Sequence, residues 1–133
     1  MTRVTGIGGV FLKAKNPAEL SAWYGEHLGL PLTEWGGADF EWREKDSPEK
    51  IGKTVWSLFP ADSNYFGAGT QQTMLNFRVN DLDAMLEHLA AQGIQVDSHR
   101  EEHPYGRFAW IVDPEGNRVE LWEPLNSPDH HSR

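Results

Sequence analysis

The sequence of 133 residues contains no cysteine, so disulfides, thiolate metal ligands and a cysteine nucleophile are excluded. It also lacks a surplus of basic residues, because 12 Lys and Arg stand against 20 Asp and Glu, a formal net charge of −8. This balance argues against nucleic acid and anionic membranes, which bind through excess positive charge. No apolar run approaches the roughly 20 residues that span a bilayer, and residues 1–4 lack the apolar segment of a signal peptide. We therefore expect a cytoplasmic protein with no nucleic-acid or membrane partner.

What the sequence does contain is an internal repeat. Asn16 and Pro17 predict the start of a helix, since Asn caps helices and Pro fits the first helical position. Gly29 is placed to end that helix in a left-handed cap. Asp81 and Gly93 bound a second predicted helix in the same way, and the two glycines stand 64 residues apart. Landmarks in the intervening strands recur at nearly the same offset, which indicates one structural unit written twice.

Each half of the chain is predicted to form a strand, a helix and then three strands, an α+β arrangement of two βαβββ units. We expect a single domain over residues 1–124, with the first unit at 4–60, a linker at 61–70 and the second unit at 71–124. Residues 125–133 are expected to form a disordered tail. The predicted strands are near residues 4–14, 31–35, 38–44 and 53–59, then 71–79, 95–101, 106–112 and 117–123.

The alternation of side chains along these strands predicts two different sheet faces. One face is apolar and should pack under the helices. The second face combines aromatic walls with a few polar groups, as a small-molecule pocket does. Its predicted members are Gly9, Phe11, Trp56, Leu58, Met74, Asn76, Arg118, Glu120 and Trp122. The alternative is a second hydrophobic core or a dimer interface that contains an ion pair between Glu120 and Arg118.

Four segments resemble the vicinal oxygen chelate superfamily, which includes glyoxalase I, bleomycin-resistance proteins and extradiol dioxygenases. They are Ile7–Leu12, Trp23–Leu30, Asn76–Val79 and Phe108–Pro124, of which the last is the most specific. The resemblance covers residues 4–124. It implies the glyoxalase/bleomycin-resistance/dioxygenase fold, in which two tandem βαβββ units form a curved mixed sheet.

The resemblance also implies where a metal would bind. Metal-dependent members place His, Glu or Gln side chains at equivalent points of the first and fourth strands of each unit. Carried over, these points are Gly9, Trp56, Met74 and Glu120, and only Glu120 can ligate a hard or borderline divalent cation. Because a catalytic metal generally needs about three protein ligands, we expect a degenerate site and no cofactor. A divalent metal is the alternative.

Glu120 and His103 are the candidate catalytic residues. A carboxylate in an aromatic cavity can act as a general base on an acidic C–H bond or bind a cationic ligand, and an ion pair with Arg118 would oppose a rise of its pKa. His103 could reach the mouth of the pocket as a second metal ligand or a proton-transfer group, with an ordinary loop histidine as the alternative. The predicted ligand-binding residues are Phe11, Trp56, Met74, Asn76, Arg118 and Trp122.

Three functions follow from this sequence, and the residues do not decide whether the protein is an enzyme. The first is binding of a small organic ligand, cationic or aromatic, which the negative charge and six Trp residues would suit. The second is a glyoxalase-like lyase or isomerase, or a dioxygenase, that uses Glu120 as base or metal ligand. The third is a ligand-free accessory dimer. A homodimer is expected in each case, and Tyr65 and Phe66 of the linker are hypothesised to fold over the cavity.

Overall fold

The computed structural model describes residues 2–67 and 70–125. The predicted α+β fold class, with a mixed sheet and one helix in each repeat, is confirmed. The predicted tail lies, apart from its first residue, outside the described residues. The elements are β1 (Val4–Ala14), α1 (Pro17–Leu28), β2 (Ala38–Arg43), β3 (Ile51–Pro60), β4 (Thr73–Val79), α2 (Leu82–Ala91), β5 (Val96–His103), β6 (Gly106–Val112) and β7 (Arg118–Pro124).

The chain forms two compact units, and the boundaries between them do not lie in the predicted linker. An N-terminal unit comprises Ile7–Leu75, and a C-terminal unit joins the residues up to Gly6 to those from Asn76 onwards. The division therefore passes through β1 and β4. The boundaries predicted from the repeat itself stay a prediction.

In the N-terminal unit, β3 lies between β1 and β2, pairing in parallel with β1 and antiparallel with β2. The parallel pair requires a crossover, and α1 supplies part of it. The helix begins as predicted, because the Asn16 side chain accepts a hydrogen bond from the backbone N–H of Glu19 at 3.1 Å. It ends at Gly29, whose φ of 70° is the left-handed conformation that glycine adopts without strain.

The strand predicted over residues 31–35 is wrong. Only Leu32 forms an isolated bridge, with Ala38. The chain reverses instead, since Thr33 N–H donates to the Gly37 carbonyl at 2.8 Å and Gly36 N–H donates to the Thr33 carbonyl at 3.0 Å. The backbone N–H and C=O groups that would pair with a neighbouring strand are hydrogen-bonded within this turn instead. Two strands rather than three therefore follow α1.

In the C-terminal unit, β7 lies between β4 and β6, and β5 pairs with the far side of β6. The β4–β7 pair is parallel and the other two pairs are antiparallel. The helix α2 begins after Asp81, whose side chain accepts from Ala84 N–H at 3.0 Å. One face of the sheet packs against α2 in a cluster of buried apolar residues, Val79, Leu82, Leu86, Ala109 and Leu121.

The opposite face of this sheet carries the next residues along each strand, because successive side chains alternate. We call it the site face and define it by Asn76 of β4, Phe108 and Trp110 of β6, and Arg118, Glu120 and Trp122 of β7.

In the described part of the chain, no helix combines the length and apolarity that crossing a bilayer requires.

Candidate functional site

Glu120 is at the centre of the site face and is only 2% exposed. The strand register places Asn76 and Trp110 directly beside it, one on each neighbouring strand. Asn76 donates from Nδ2 to Oε2 of Glu120 at 2.6 Å, and Trp110 donates from Nε1 to Oε1 at 3.1 Å. Each carboxylate oxygen therefore accepts a hydrogen bond from a different strand, and hydrogen bonds of this kind stabilise the charged form.

The amide of Asn76 is only half satisfied by these contacts. Its nitrogen faces the carboxylate, so Oδ1 is directed away from it. Asn76 is 2% exposed, and Oδ1 accepts no hydrogen bond from any residue in the described ranges. A buried acceptor without a partner costs about 1–3 kcal/mol. Such atoms are rare in folded proteins and often mark a position that a ligand or a water molecule satisfies.

A stack of aromatic rings continues the site face beyond Glu120. The rings of Phe108 and Trp122 are parallel within 2° and 6.0 Å apart, and Tyr105 meets Phe108 edge to face at 5.8 Å. Gly106 makes room for this arrangement, because a Cβ atom there would lie 2.1 Å from Nε1 of Trp122. The combination of aromatic surfaces and a few polar atoms is typical of a small-molecule site.

Arg118 extends the site face toward β5. It forms an ion pair with Asp97 at 2.7 Å, and its guanidinium lies 5.2 Å from the ring centre of Trp110. A hydrogen bond from the backbone N–H of His99, together with the Arg118 guanidinium, holds the pKa of Asp97 below its usual range. Arg118 is therefore held in place by an anion and an aromatic ring at once.

Two histidines share one carboxylate on β5. Glu101 is hydrogen-bonded to His103 and to His99, each through Nε2 at 2.9 Å. Both hydrogen bonds hold the pKa of Glu101 below its usual range, and the bond to His103 has the larger effect. The His103 ring also stacks on Tyr105 at 5.0 Å, and the His99 ring stacks on Trp110 at 5.3 Å. His103, expected on a loop, is thus the last residue of β5 and adjoins the aromatic stack.

Sequence reasoning missed Trp110, Asp97 and the role of His99. Trp110 could have been found by alternation, since Ala109 belongs to the apolar face and its neighbour must therefore point to the opposite one. The β5 partners were harder to find, because the register of β5 against β6 shifts between Val96 and Arg100.

Three predicted residues lie instead in the N-terminal unit. Gly9, Phe11 and Met74 are all buried there, and Phe11 meets Phe59 edge to face at 5.6 Å. The expectation that they line one cavity with Glu120 stays a prediction.

The linker residues Tyr65 and Phe66 pack on the same aromatic group of the N-terminal unit. Tyr65 stacks on Phe59 at 5.2 Å, and Phe66, which is 1% exposed, meets Phe59 at 5.3 Å. The Lys13 ammonium lies 5.4 Å from the centre of the Phe66 ring. That these residues fold over a ligand stays a prediction.

The predicted grouping of Trp56 and Leu58 with Phe11 on one face is wrong. In the parallel pair of β1 and β3, Phe11 lies beside Ser57, so Trp56 on the same strand points to the opposite face. Trp56 instead contacts Tyr24 of α1, with ring centres 5.0 Å apart. The repeat was aligned one residue out of step at β3, and a slip of one residue reverses every side chain.

The corrected register also revises the metal positions implied by the family resemblance. In the second repeat, Asn76 of the first strand lies beside Glu120. The residue of the first repeat that corresponds to Asn76 is Phe11, and Phe11 lies beside Ser57. Ser57 therefore replaces Trp56 as the counterpart of Glu120. With Gly9 and Met74 at the other positions, the set offers one carboxylate and one hydroxyl.

This donor set does not fit a divalent metal centre, which generally takes about three strong protein ligands. Across residues 2–67 and 70–125, no three His, Asp or Glu side chains are grouped so that they could hold a metal ion.

A cavity of about 230 Å³ lies in the N-terminal unit between α1 and the turn that precedes β2. It contains none of the predicted catalytic or ligand-binding residues. Its walls are Pro17, Ala18, Ser21, Trp35, Gly36, Gly37, Ser57 and Leu58.

Residues 6–121 match the family model of the Glyoxalase/Bleomycin resistance protein/Dioxygenase superfamily. No curated protein matches the chain. Among solved structures, the methylmalonyl-CoA epimerase of Mycobacterium tuberculosis is 25% identical, with 98% of this chain and 93% of that chain covered and a TM-score of 0.57.

Two further structures are similar in fold alone. A variant of the Streptomyces coelicolor methylmalonyl-CoA epimerase, in complex with 2-nitronate-propionyl-CoA, is 14% identical, covers 92% of this chain and 99% of its own, and has a TM-score of 0.67. A structure described as the NAD-dependent benzaldehyde dehydrogenase of Legionella pneumophila is 18% identical, covers 88% and 98%, and has a TM-score of 0.56.

Proposed function

Because this chain belongs to the glyoxalase/bleomycin resistance protein/dioxygenase superfamily, we propose that it binds a small organic ligand with an aromatic part on its site face. The observation that carries the proposal is the buried Glu120–Asn76 pair next to the parallel rings of Phe108 and Trp122. The polar pair would orient the ligand, and the rings would supply its apolar contact.

The rings are suited to an aromatic ligand in particular. Aromatic pairs contribute about 0.5–1.5 kcal/mol beyond the area that they bury. Trp122 is only partly buried, and its indole is positioned by Phe108 and by the absence of a side chain at Gly106. A rigid ring that is already in place loses little conformational entropy when a ligand binds.

The proposal can be tested with 2-naphthylmethanol as probe. The six Trp indole N–H groups give separate signals in a ¹H–¹⁵N spectrum, and each signal can be assigned with a Trp→Phe variant. The signals that shift then show which Trp residues lie near the bound probe. We expect the signals of Trp110 and Trp122 to shift on titration, and Trp122→Ala to weaken binding about tenfold, which corresponds to about 1.4 kcal/mol. Trp23→Ala is the matched control, because Trp23 is 50% exposed, lies in the N-terminal unit and is not part of the cavity wall there. Unchanged affinity in Trp122→Ala would contradict the proposal.

A second function, proton abstraction from a carbon acid, is favoured by one specific observation. The Mycobacterium tuberculosis protein that is 25% identical to this chain is a methylmalonyl-CoA epimerase, and inverting a carbon stereocentre most simply requires a base that removes a proton and returns it. Glu120 is the carboxylate that would act as general base here. The two hydrogen bonds to its oxygens favour a binding role over this one, since they stabilise the charged form of the carboxylate and so oppose its taking up a proton.

Deuterium exchange separates the two functions. If Glu120 is a base, methylmalonyl-CoA incubated with the protein in D₂O gains one deuterium by mass spectrometry, and Glu120→Gln abolishes the gain. Deuterium uptake that persists in Glu120→Gln would exclude Glu120 as the base.

We also propose that the protein is a cytoplasmic homodimer, as the sequence and the family resemblance suggest. Light scattering coupled to size exclusion tests the dimer directly. A monomer at micromolar concentration would contradict it.

A further inference from the structure

We infer that the cavity between α1 and the turn that precedes β2 is a second ligand site, which takes a small, uncharged aromatic molecule with one hydrogen-bond donor, such as a phenol or an indole. This cavity lies in the N-terminal unit, whereas the site face lies in the C-terminal unit. Each of the two sites can therefore be tested without the other.

The volume of the cavity, about 230 Å³, limits the size of the ligand. An apolar cavity of about 150 Å³ can hold benzene, whereas pockets for drug-sized ligands have about 300–1,000 Å³. A molecule with one ring or two fused rings therefore fits this cavity.

The wall formed by the turn is flat and is held in place. The indole of Trp35 lies directly against the backbone of Gly37, since a Cβ atom at Gly37 would be 1.8 Å from Cζ3 of that ring. The turn itself is fixed by the N–H of Gly36, which donates to the Thr33 carbonyl at 3.0 Å, and by the N–H of Thr33, which donates to the Gly37 carbonyl at 2.8 Å. An aromatic wall that is already positioned favours a planar ligand, because little conformational entropy is lost when the rings pack together.

The composition of the wall favours an uncharged ligand. None of its eight residues, all of which lie in the described part of the chain, has an ionisable side chain. A charged group that moved from water into these surroundings would lose hydration without gaining an opposite charge, which is unfavourable.

The hydrogen-bonded pair of Ser21 and Gly36 favours a ligand that donates. Ser21 is 7% exposed, and its hydroxyl donates to the Gly36 carbonyl. The single proton of the hydroxyl is used in this bond, while its oxygen keeps lone pairs that can accept, and the carbonyl can accept a second hydrogen bond. Both residues belong to the wall, so the pair offers acceptors to a bound molecule and no donor.

Four bicyclic probes of similar size separate these properties. Indole has an N–H donor, benzofuran has an oxygen in its place, indene has neither, and isoindoline has N–H groups but is positively charged at neutral pH. Binding is followed in a ¹H–¹⁵N spectrum of labelled protein by the indole N–H signal of Trp35 and the backbone amide signal of Gly36. We expect indole to shift both signals and to bind about fivefold more tightly than each of the other three, as one neutral hydrogen bond implies.

Two pairs of matched variants test the wall, with the Gly36 amide as the common signal. Ala18→Leu should fill part of the cavity and weaken indole binding about tenfold or more, whereas Ala22→Leu makes the same change on α1 outside the wall and should leave the affinity unchanged. Trp35→Ala should also weaken indole binding about tenfold, whereas Trp23→Ala, at a position of similar exposure outside the wall, should not. Trp35 is 55% exposed, so its replacement keeps the test available if Ala18→Leu fails to fold.

The possible results distinguish this second site from the proposed function. Indole affinity that is unchanged in both Ala18→Leu and Trp35→Ala would overturn the inference, and so would equal affinities for indole, benzofuran and indene. If indole shifts only the Trp110 and Trp122 signals, the inference is overturned and the proposed function is supported. If indole binds at the cavity as expected while 2-naphthylmethanol leaves Trp110 and Trp122 unshifted, the inference is supported and the proposed function fails.

Discussion

Replacing Trp110 by phenylalanine should destabilise the protein by about 2–4 kcal/mol. The change keeps an aromatic ring but removes the indole N–H that donates to Glu120 at 3.1 Å. A hydrogen bond to a charged group contributes about 1.5–3 kcal/mol. The smaller ring adds a cavity cost of order 1 kcal/mol, because Trp110 is 1% exposed and its surroundings relax only in part.

The matched control is Trp42→Phe in the N-terminal unit. Trp42 also donates from Nε1, to the hydroxyl of Thr54 at 2.8 Å, but this acceptor is neutral and the indole is only half-buried. A neutral hydrogen bond contributes about 0.5–1.5 kcal/mol, so the control should lose at least 1 kcal/mol less than Trp110→Phe.

Urea unfolding followed by far-UV circular dichroism measures both variants without depending on Trp fluorescence. The comparison is valid if the dependence of the unfolding free energy on urea is unchanged. Equal losses of unfolding free energy in the two variants would refute the reasoning. The hydrogen bond from Trp110 to the Glu120 carboxylate would then stabilise the protein no more than the hydrogen bond from Trp42 to the neutral hydroxyl of Thr54.

Three further changes test other parts of the structure. Gly106→Ala should displace the indole of Trp122 and cost about 1–3 kcal/mol, with a changed near-UV circular dichroism spectrum, because the new Cβ would lie 2.1 Å from Nε1. Asp97→Asn should lower stability at pH 7, and this loss should shrink as the pH falls. The backbone N–H of His99 and the Arg118 guanidinium hold the pKa of Asp97 below its usual value, so the stability that its charge contributes is present above the usual pKa of an aspartate and is lost as the pH falls through the lowered pKa. Leu82→Ala should cost about 2–5 kcal/mol in urea unfolding, since Leu82, the first residue of α2, is fully buried in the apolar cluster between the helix and the sheet.

Each of these changes has its own control or contrary result. Gly116→Ala is the control for Gly106→Ala. A Cβ atom at position 116 would have no heavy atom within 4 Å, so the near-UV circular dichroism spectrum should not change. Leu28→Ala removes a side chain that is 61% exposed and should cost less than about 0.5 kcal/mol. A loss of stability in Asp97→Asn that is the same at every pH would contradict the ionic role of Asp97.

The helices and turns were predictable because their determinants are adjacent in sequence. The capping residues Asn16 and Asp81 accept hydrogen bonds from N–H groups three positions later. The turn between β6 and β7 is equally local, since Asp113 accepts from the backbone N–H groups of Glu115 and Asn117. Features of this kind need no knowledge of distant parts of the chain.

Features that depend on strand register were predicted less well. Aligning the two repeats by landmarks gave an offset of 64 residues at β3, whereas the observed pairing requires 63 between Ser57 and Glu120. An error of one residue is harmless in a loop, but in a strand it moves Trp56 from the helix side to the opposite face. Composition gave no warning, because an aromatic residue suits either face.

The sheet face that carries Glu120 was predicted correctly, because that prediction did not depend on the register between strands. The strand of Glu120 alternates strictly between the apolar residues Val119 and Leu121, which pack toward α2, and polar or aromatic ones, so the face of Glu120 did not depend on pairing with any other strand. Its two donors could be known only from the parallel and antiparallel ladders on either side of β7. The chemistry of the site therefore has two sources: the residue type at position 120 is a property of one strand, while its hydrogen bonds, and hence the acceptor that Asn76 leaves unsatisfied, are properties of three strands in register.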